Sequence, residues 1–158
     1  MTAAQATAGA YLLHPAVWLA IAVLVINVHE LKSHAPSWMT GKLSDVAGLV
    51  FFPVLLSGAV DLSTHWLGKE LSTTARRRSV VVAVAVTGFV FAAIQVLPSA
   101  ANIYVHALAL LQWPYHAAVA VFSSAPVPTP RPPAHTADVS DLMALPALLI
   151  PLWIGRRR

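Results

Sequence analysis

Long apolar stretches broken by short polar clusters set the architecture of the chain. Residues 11–28 are apolar apart from His14 and Asn27, and residues 46–60 form a second apolar run that ends at Asp61. Residues 80–97 are rich in Val, Ala and Phe, and residues 139–154 form a last run carrying Pro146 and Pro151. A helix needs roughly 20 apolar residues to cross the hydrocarbon core, so these four runs are expected to span a bilayer. Pro15 falls in the first turns of its helix, where a missing N–H costs little. The two late prolines free backbone groups that lipid cannot satisfy, so the last helix is expected to pack against other helices.

Residues 103–122 are apolar enough to enter a membrane, but His106, Gln112, Pro114 and His116 interrupt them. They read as a re-entrant or interfacial helical segment broken near Trp113-Pro114, with a fifth span as the alternative. The five prolines between 126 and 133 mark residues 123–137 as an extended loop of polyproline character. Basic residues favour the first choice. With four spans, Lys69, Arg76, Arg77, Arg78 and the terminal Arg156, Arg157 and Arg158 share one side, against Lys32, Lys42 and Arg131 on the other. Lys and Arg concentrate in cytoplasmic loops. The expected protein is therefore an all-α, multi-pass protein of the cell membrane, one helical domain with both termini cytoplasmic.

Composition agrees. Only 16 of the 158 residues are formally charged and the mean hydropathy is +0.70, whereas soluble domains carry roughly 25% charged residues. Residues 79–130 contain no charge at all. A water-soluble globule, a disordered chain and a nucleic-acid-binding domain are excluded; the net charge of +4 resides largely in the two arginine triplets that flank apolar runs. With no cysteine present, disulfides, thiolate catalysis and Cys-ligated metal centres are excluded as well. No signal peptide is evident, since no basic residue precedes the first apolar run.

The two halves carry a faint echo. Val28-His29-Glu30-Leu31 is matched by Val105-His106-Ala107-Leu108, and each is followed by a tryptophan, Trp38 and Trp113. Leu43-Ser44-Asp45 before the second span is matched by Val139-Ser140-Asp141 before the last. Ser44 and Ser140 stand where helix N-caps would, and Asp45 and Asp141 in first turns would meet the positive ends of the helix dipoles.

Residues 27–45 concentrate polar chemistry: two histidines, a tryptophan, four charges and a Thr40-Gly41-Lys42 turn. Titratable groups beside a low-dielectric slab make a candidate site. The ligand-binding candidates are Lys42, Asp45, His29, His34 and Asp141, facing outward together with His106, His116, His135 and Asp138. A polar loop anchored at the interface by Trp38 and the lysines is the plainer reading of the same residues. Asp61 reads as a helix-end residue in headgroup water, or as one member of a proton or cation relay with Asp45 about 24 Å away. No Ser, Cys or phosphate-binding catalytic motif is present, so enzymatic status stays open.

The string Trp38-Met-Thr-Gly-Lys-Leu-Ser-Asp-Val-Ala-Gly48, leading into Leu49-Val-Phe-Phe-Pro53, resembles small uncharacterised bacterial integral-membrane proteins that share a W-x-T-G-K-L-S-D-x-x-G segment. It is also partly similar to the Asp-Lys-x-x-His-Phe signature of VanZ-like membrane proteins, with Gly41 in place of the aspartate and Asp45 in place of the histidine. The first resemblance implies no activity. The second implies a polytopic envelope protein connected with glycopeptide susceptibility.

No cofactor is expected. The alternative is a haem or metal ligated by His29 and His106, or by His116 if a break near Pro114 shortens the roughly 15 Å that a continuous helix puts between His106 and His116. The partner implied throughout is the lipid bilayer, with no nucleic acid. Three functions stay open: an outward-facing polar site for an ion, a lipid headgroup or an envelope intermediate; a non-catalytic structural subunit, homo-oligomer or assembly partner of a membrane complex; and a His-ligated haem or metal protein.

Overall fold

The computed structural model describes residues 9–27 and 38–156. Every regular element among them is helical. A 3-10 turn Ala10–Leu13 leads into α1, Pro15–Ile26; α2 is Trp38–Trp66, α3 Thr73–Val96 and α4 Pro98–Phe122; a 3-10 stretch Val139–Leu148 runs into α5, Leu149–Arg156. The fold is all-α and membrane-integral. Four helical segments are long and apolar enough to cross a bilayer: α2, α3, α4 and Val139–Arg156. Their outward faces carry large apolar side chains such as Phe52, Val81, Val82 and Phe89, the last 76% exposed. Surfaces of that kind need lipid rather than water.

This set differs from the one expected. α4 is a continuous 25-residue helix through Pro114, not a pair broken at Trp113-Pro114. α1, at 12 residues, falls short of a span by its α-helical length alone.

The chain separates into two compact units, Met1–Phe89 with Met143–Arg158, and Val90–Leu142. In the first unit, α1 is held antiparallel along one face of α2. Thr40, Ser44, Ala47, Val50, Val54, Ser57, Gly58 and Asp61 recur at three- and four-residue spacing on that face, the stripe a helix presents to one neighbour. Asn27 bonds to the Ser44 end of it, Ala20 packs with Ala47 and Val50, and Gly9 reaches Asp61 at the far end. The 17 residues from Ser44 to Asp61 rise about 26 Å. The 3-10 turn and α1 together therefore cover nearly the depth of the hydrocarbon core.

Local chemistry explains the ends. His14 caps α1, its Nδ1 accepting the Ala16 N–H at 3.2 Å, and Pro15 occupies the first helical position. α2 closes on Gly68 in the left-handed region at φ 72°. Ser72 accepts the Ala75 N–H at 3.2 Å and opens α3. The core gathers Tyr11, Val17, Val54, Val80, Val84 and Ile154 from the 3-10 turn and from α1, α2, α3 and α5. Pro53 and Pro151 are buried in protein, whereas Pro146 is exposed. Only the second of the last segment's prolines thus meets the expectation of interior packing. The small residue Ala20 packs within the chain, against Ala47 and Val50.

In the second unit, α4 ends at Ser123, whose Oγ donates to Val119 O at 2.8 Å, and Ser124 turns the chain at φ 54°. The proline-rich tract then returns alongside α4 without helix or strand, as its composition predicts. Trp113 Nε1 donates to Pro128 O at 2.7 Å, the rings of His135 and Tyr104 meet edge to face at 5.7 Å, and the Asp138 N–H donates to Gln95 Oε1 at 3.0 Å. The tract therefore finishes beside Gln95 at the end of α3, three residues before α4 begins. Trp113→Phe keeps an aromatic ring and removes the donor. It is expected to cost about 0.5–1 kcal/mol and to accelerate amide exchange across residues 125–137.

Candidate functional site

Two polar clusters cap the α1–α2 interface of the first unit, with apolar packing between them. At one end Asn27 is fully buried. Its Nδ2 donates to Thr40 O at 2.6 Å and to Ser44 Oγ at 2.5 Å. Its Oδ1 is buried without a hydrogen-bond partner. An orphaned buried amide oxygen is costly, and in native proteins it calls for an explanation. Lys42 and Asp45 stand half-buried on the same turns of α2, three residues apart and so side by side on the helix. The Lys42 ammonium sits 4.7 Å over the ring of the exposed Trp38, a cation–π contact suited to an interface.

The geometry corrects several sequence expectations. Thr40-Gly41-Lys42 is helical, not a turn, and a side chain at Gly41 would meet nothing within 4 Å. Ser44 is no N-cap and Asp45 lies outside a first turn, because α2 already begins at Trp38. Ser140 is not a cap either: Asp138 is, its Oδ1 accepting the Ser140 N–H at 2.8 Å while its carbonyl accepts the Asp141 N–H at 2.9 Å. The paired motifs around Asp45 and Asp141 thus have different structures, one inside a long helix and one opening a 3-10 stretch. Lys42 and Asp45 belong to the first unit, Asp141 to the second. His29 and His34 lie outside the described residues.

The histidines of α4 do not converge. His106 bonds through Nδ1 to Asn102 O at 2.8 Å, and His116 packs on Tyr115. The unbroken helix keeps the two about 15 Å apart along its axis. No group of three or more metal-ligating side chains occurs among the described residues.

The opposite end of the interface holds a group that the sequence reading placed in headgroup water. Asp61 is 2% exposed. Its Oδ1 receives Arg76 Nε and its Oδ2 the Gly9 N–H, both at 3.0 Å. One carboxylate thereby joins the chain's first described residue, the end of α2 and the start of α3. The available signal was an acid closing a charge-free run with an arginine triplet 15 residues on; its burial was not readable.

The triplet divides its work. Arg76 pairs with Asp61, Arg77 donates through Nη2 to Arg156 O at 3.3 Å, and Arg78 lines a groove between α2 and α3. Gly9 and Arg156 therefore lie at the same end of the unit as all three arginines. Compared with family models, curated proteins and solved structures, the chain finds no significant match.

Proposed function

We propose that the Asn27 end of the first unit is a recognition site for a polar headgroup, that of a membrane lipid or of an envelope intermediate. The carrying observation is the orphaned Asn27 Oδ1. It offers a hydrogen-bond acceptor to a hydroxyl or amine, beside the turns of α2 that also carry Lys42, which suits a phosphate, and Asp45, which suits a cation. His29 and His34 would complete the set from the segment joining α1 to α2. An envelope role also accords with the resemblance carried by residues 38–53.

A topology with both termini in the cytoplasm supports an outward site. Gly9, Arg156 and the arginine triplet share the end opposite Asn27, and Arg-rich ends stay inside. Four crossings, by the 3-10 turn with α1, by α2, by α3 and by Val139–Arg156, satisfy this arrangement if α4 does not cross. Reporter fusions at both ends are expected to read cytoplasmic, and a reporter in residues 123–137 the opposite compartment.

The binding test titrates the detergent-solubilised protein with glycerol phosphate and phosphoethanolamine, observed by NMR. Lys42→Ala is expected to weaken binding about tenfold, the worth of one charge-assisted hydrogen bond. Asn27→Leu should reduce it as well while leaving the fold intact, because Leu removes a buried group that is only half satisfied. Binding unchanged in both variants would end the proposal.

A second reading, assembly partner or homo-oligomer, draws on α4, of which only 11% of the apolar window is buried within the chain. Cross-linking in native membranes followed by sizing decides between a lone chain and a complex. The haem or metal reading is decided by the absorption spectrum and elemental content of the purified protein.

A further inference from the structure

A groove of about 410 Å³ runs between α2 and α3 at the end of the first unit that holds Gly9 and Arg156. Leu56 and Val60 form one wall, Ala75, Val82 and Val86 the other, and Arg78 stands at its polar end. The walls are almost wholly apolar and lie on faces that meet hydrocarbon. From Arg78 to Val86 the groove follows eight residues of α3, about 12 Å. Arg76 and Arg77 are engaged by Asp61 and by the Arg156 carbonyl, whereas the exposed Arg78 borders the groove itself.

An apolar channel open to lipid tails, with a guanidinium at its water-facing end, has the charge and shape of one molecule type. We propose that it is a specific seat for an anionic phospholipid. The upper part of one acyl chain lies against Leu56, Val60, Val82 and Val86, and the phosphate is held by Arg78, whose planar fork matches phosphate oxygens. This site is independent of the Asn27 headgroup site, being at the other end of the unit, and it needs no assumption about which compartment that end faces.

Native mass spectrometry of the full chain, released from detergent with equal amounts of an anionic phosphatidylglycerol and a zwitterionic phosphatidylcholine, tests it. The wild type is expected to retain the anionic lipid preferentially. Arg78→Gln should lower that retention roughly fivefold, the factor one basic side chain contributes beside anionic lipid, and Arg78→Lys should restore part of it. Arg77→Gln should change it less than twofold. Ala75→Leu, which narrows the groove and keeps every charge, should lower retention of both lipids. Equal loss in the Arg77 and Arg78 variants would mean diffuse surface charge and would overturn the seat, as would wild-type retention without headgroup preference. A helicity spectrum for each variant separates lost binding from lost fold, and Ala75→Leu carries the test if an arginine variant does not fold.

Discussion

Arg76→Ala is expected to destabilise the protein by about 3–5 kcal/mol, the cost of leaving a buried carboxylate without its cation. Arg76 and Asp61 have side chains only 12% and 3% exposed and meet at 3.0 Å, so solvent does little to screen the pair. The remaining partner of Asp61, the Gly9 N–H, carries no full charge and cannot replace the guanidinium. In a chain of this size such a loss lowers the melting midpoint by roughly 10 °C, measurable by a thermal melt in detergent. Arg77→Ala should cost under about 1 kcal/mol, as exposed charges do.

The double variant Asp61→Leu with Arg76→Met supplies the control. Replacing both members of a buried pair by apolar side chains is often neutral or stabilising, so its midpoint should return close to wild type. If Arg76→Ala melts like Arg77→Ala, the pair does not hold the 3-10 turn, α2 and α3 together.

The second large effect is steric. A Cβ at Gly155 would lie 2.8 Å from Val80 Cγ1 and 3.1 Å from Val80 Cβ. Val80 is 3% exposed, and a β-branched side chain has almost no freedom to rotate within a helix. Either α5 must move off α3 or the core around Ile154 must open. Gly155→Val is therefore expected to cost about 1–3 kcal/mol, the usual penalty for overpacking, and Val80→Ala in the same chain should recover most of it.

Gly88 offers the contrast. Its added Cβ would also come within 2.8 Å of a neighbour, but that neighbour is the terminal Cδ1 of Leu148, which can swing aside. Gly88→Ala should cost well under the Gly155 value. Similar costs at both glycines would show that backbone approach, not the stiffness of the contacted side chain, sets the penalty.

The helical, membrane-embedded character of the chain was legible because it follows from quantities that add along the sequence: apolar length, scarcity of charge and the placement of arginines. The polyproline tract was legible for a similar reason, since proline limits its own backbone whatever surrounds it. The limits of α2 were not. Its apolar run covers residues 46–60, yet the helix extends from Trp38 to Trp66. Polar residues remain helical where a neighbour accepts or donates to them, as Asn27 does at Thr40 and Ser44. Pro114 misled in the opposite sense. A proline removes one helical hydrogen bond and leaves the next turns free to continue, so α4 passes through it.

What the sequence determined by itself was the solvent, the helical class and the end of the first unit that carries positive charge, because each depends on local composition and not on which residues meet. What only the tertiary structure decided was the meaning of individual polar residues. Asp61 became the partner of an arginine 15 positions away, Ser44 an acceptor for Asn27 and not a cap, and one arginine of three the border of an apolar groove. Each outcome turns on the removal of water and on contacts between segments distant in the chain, and no periodicity or residue type encodes those one position at a time.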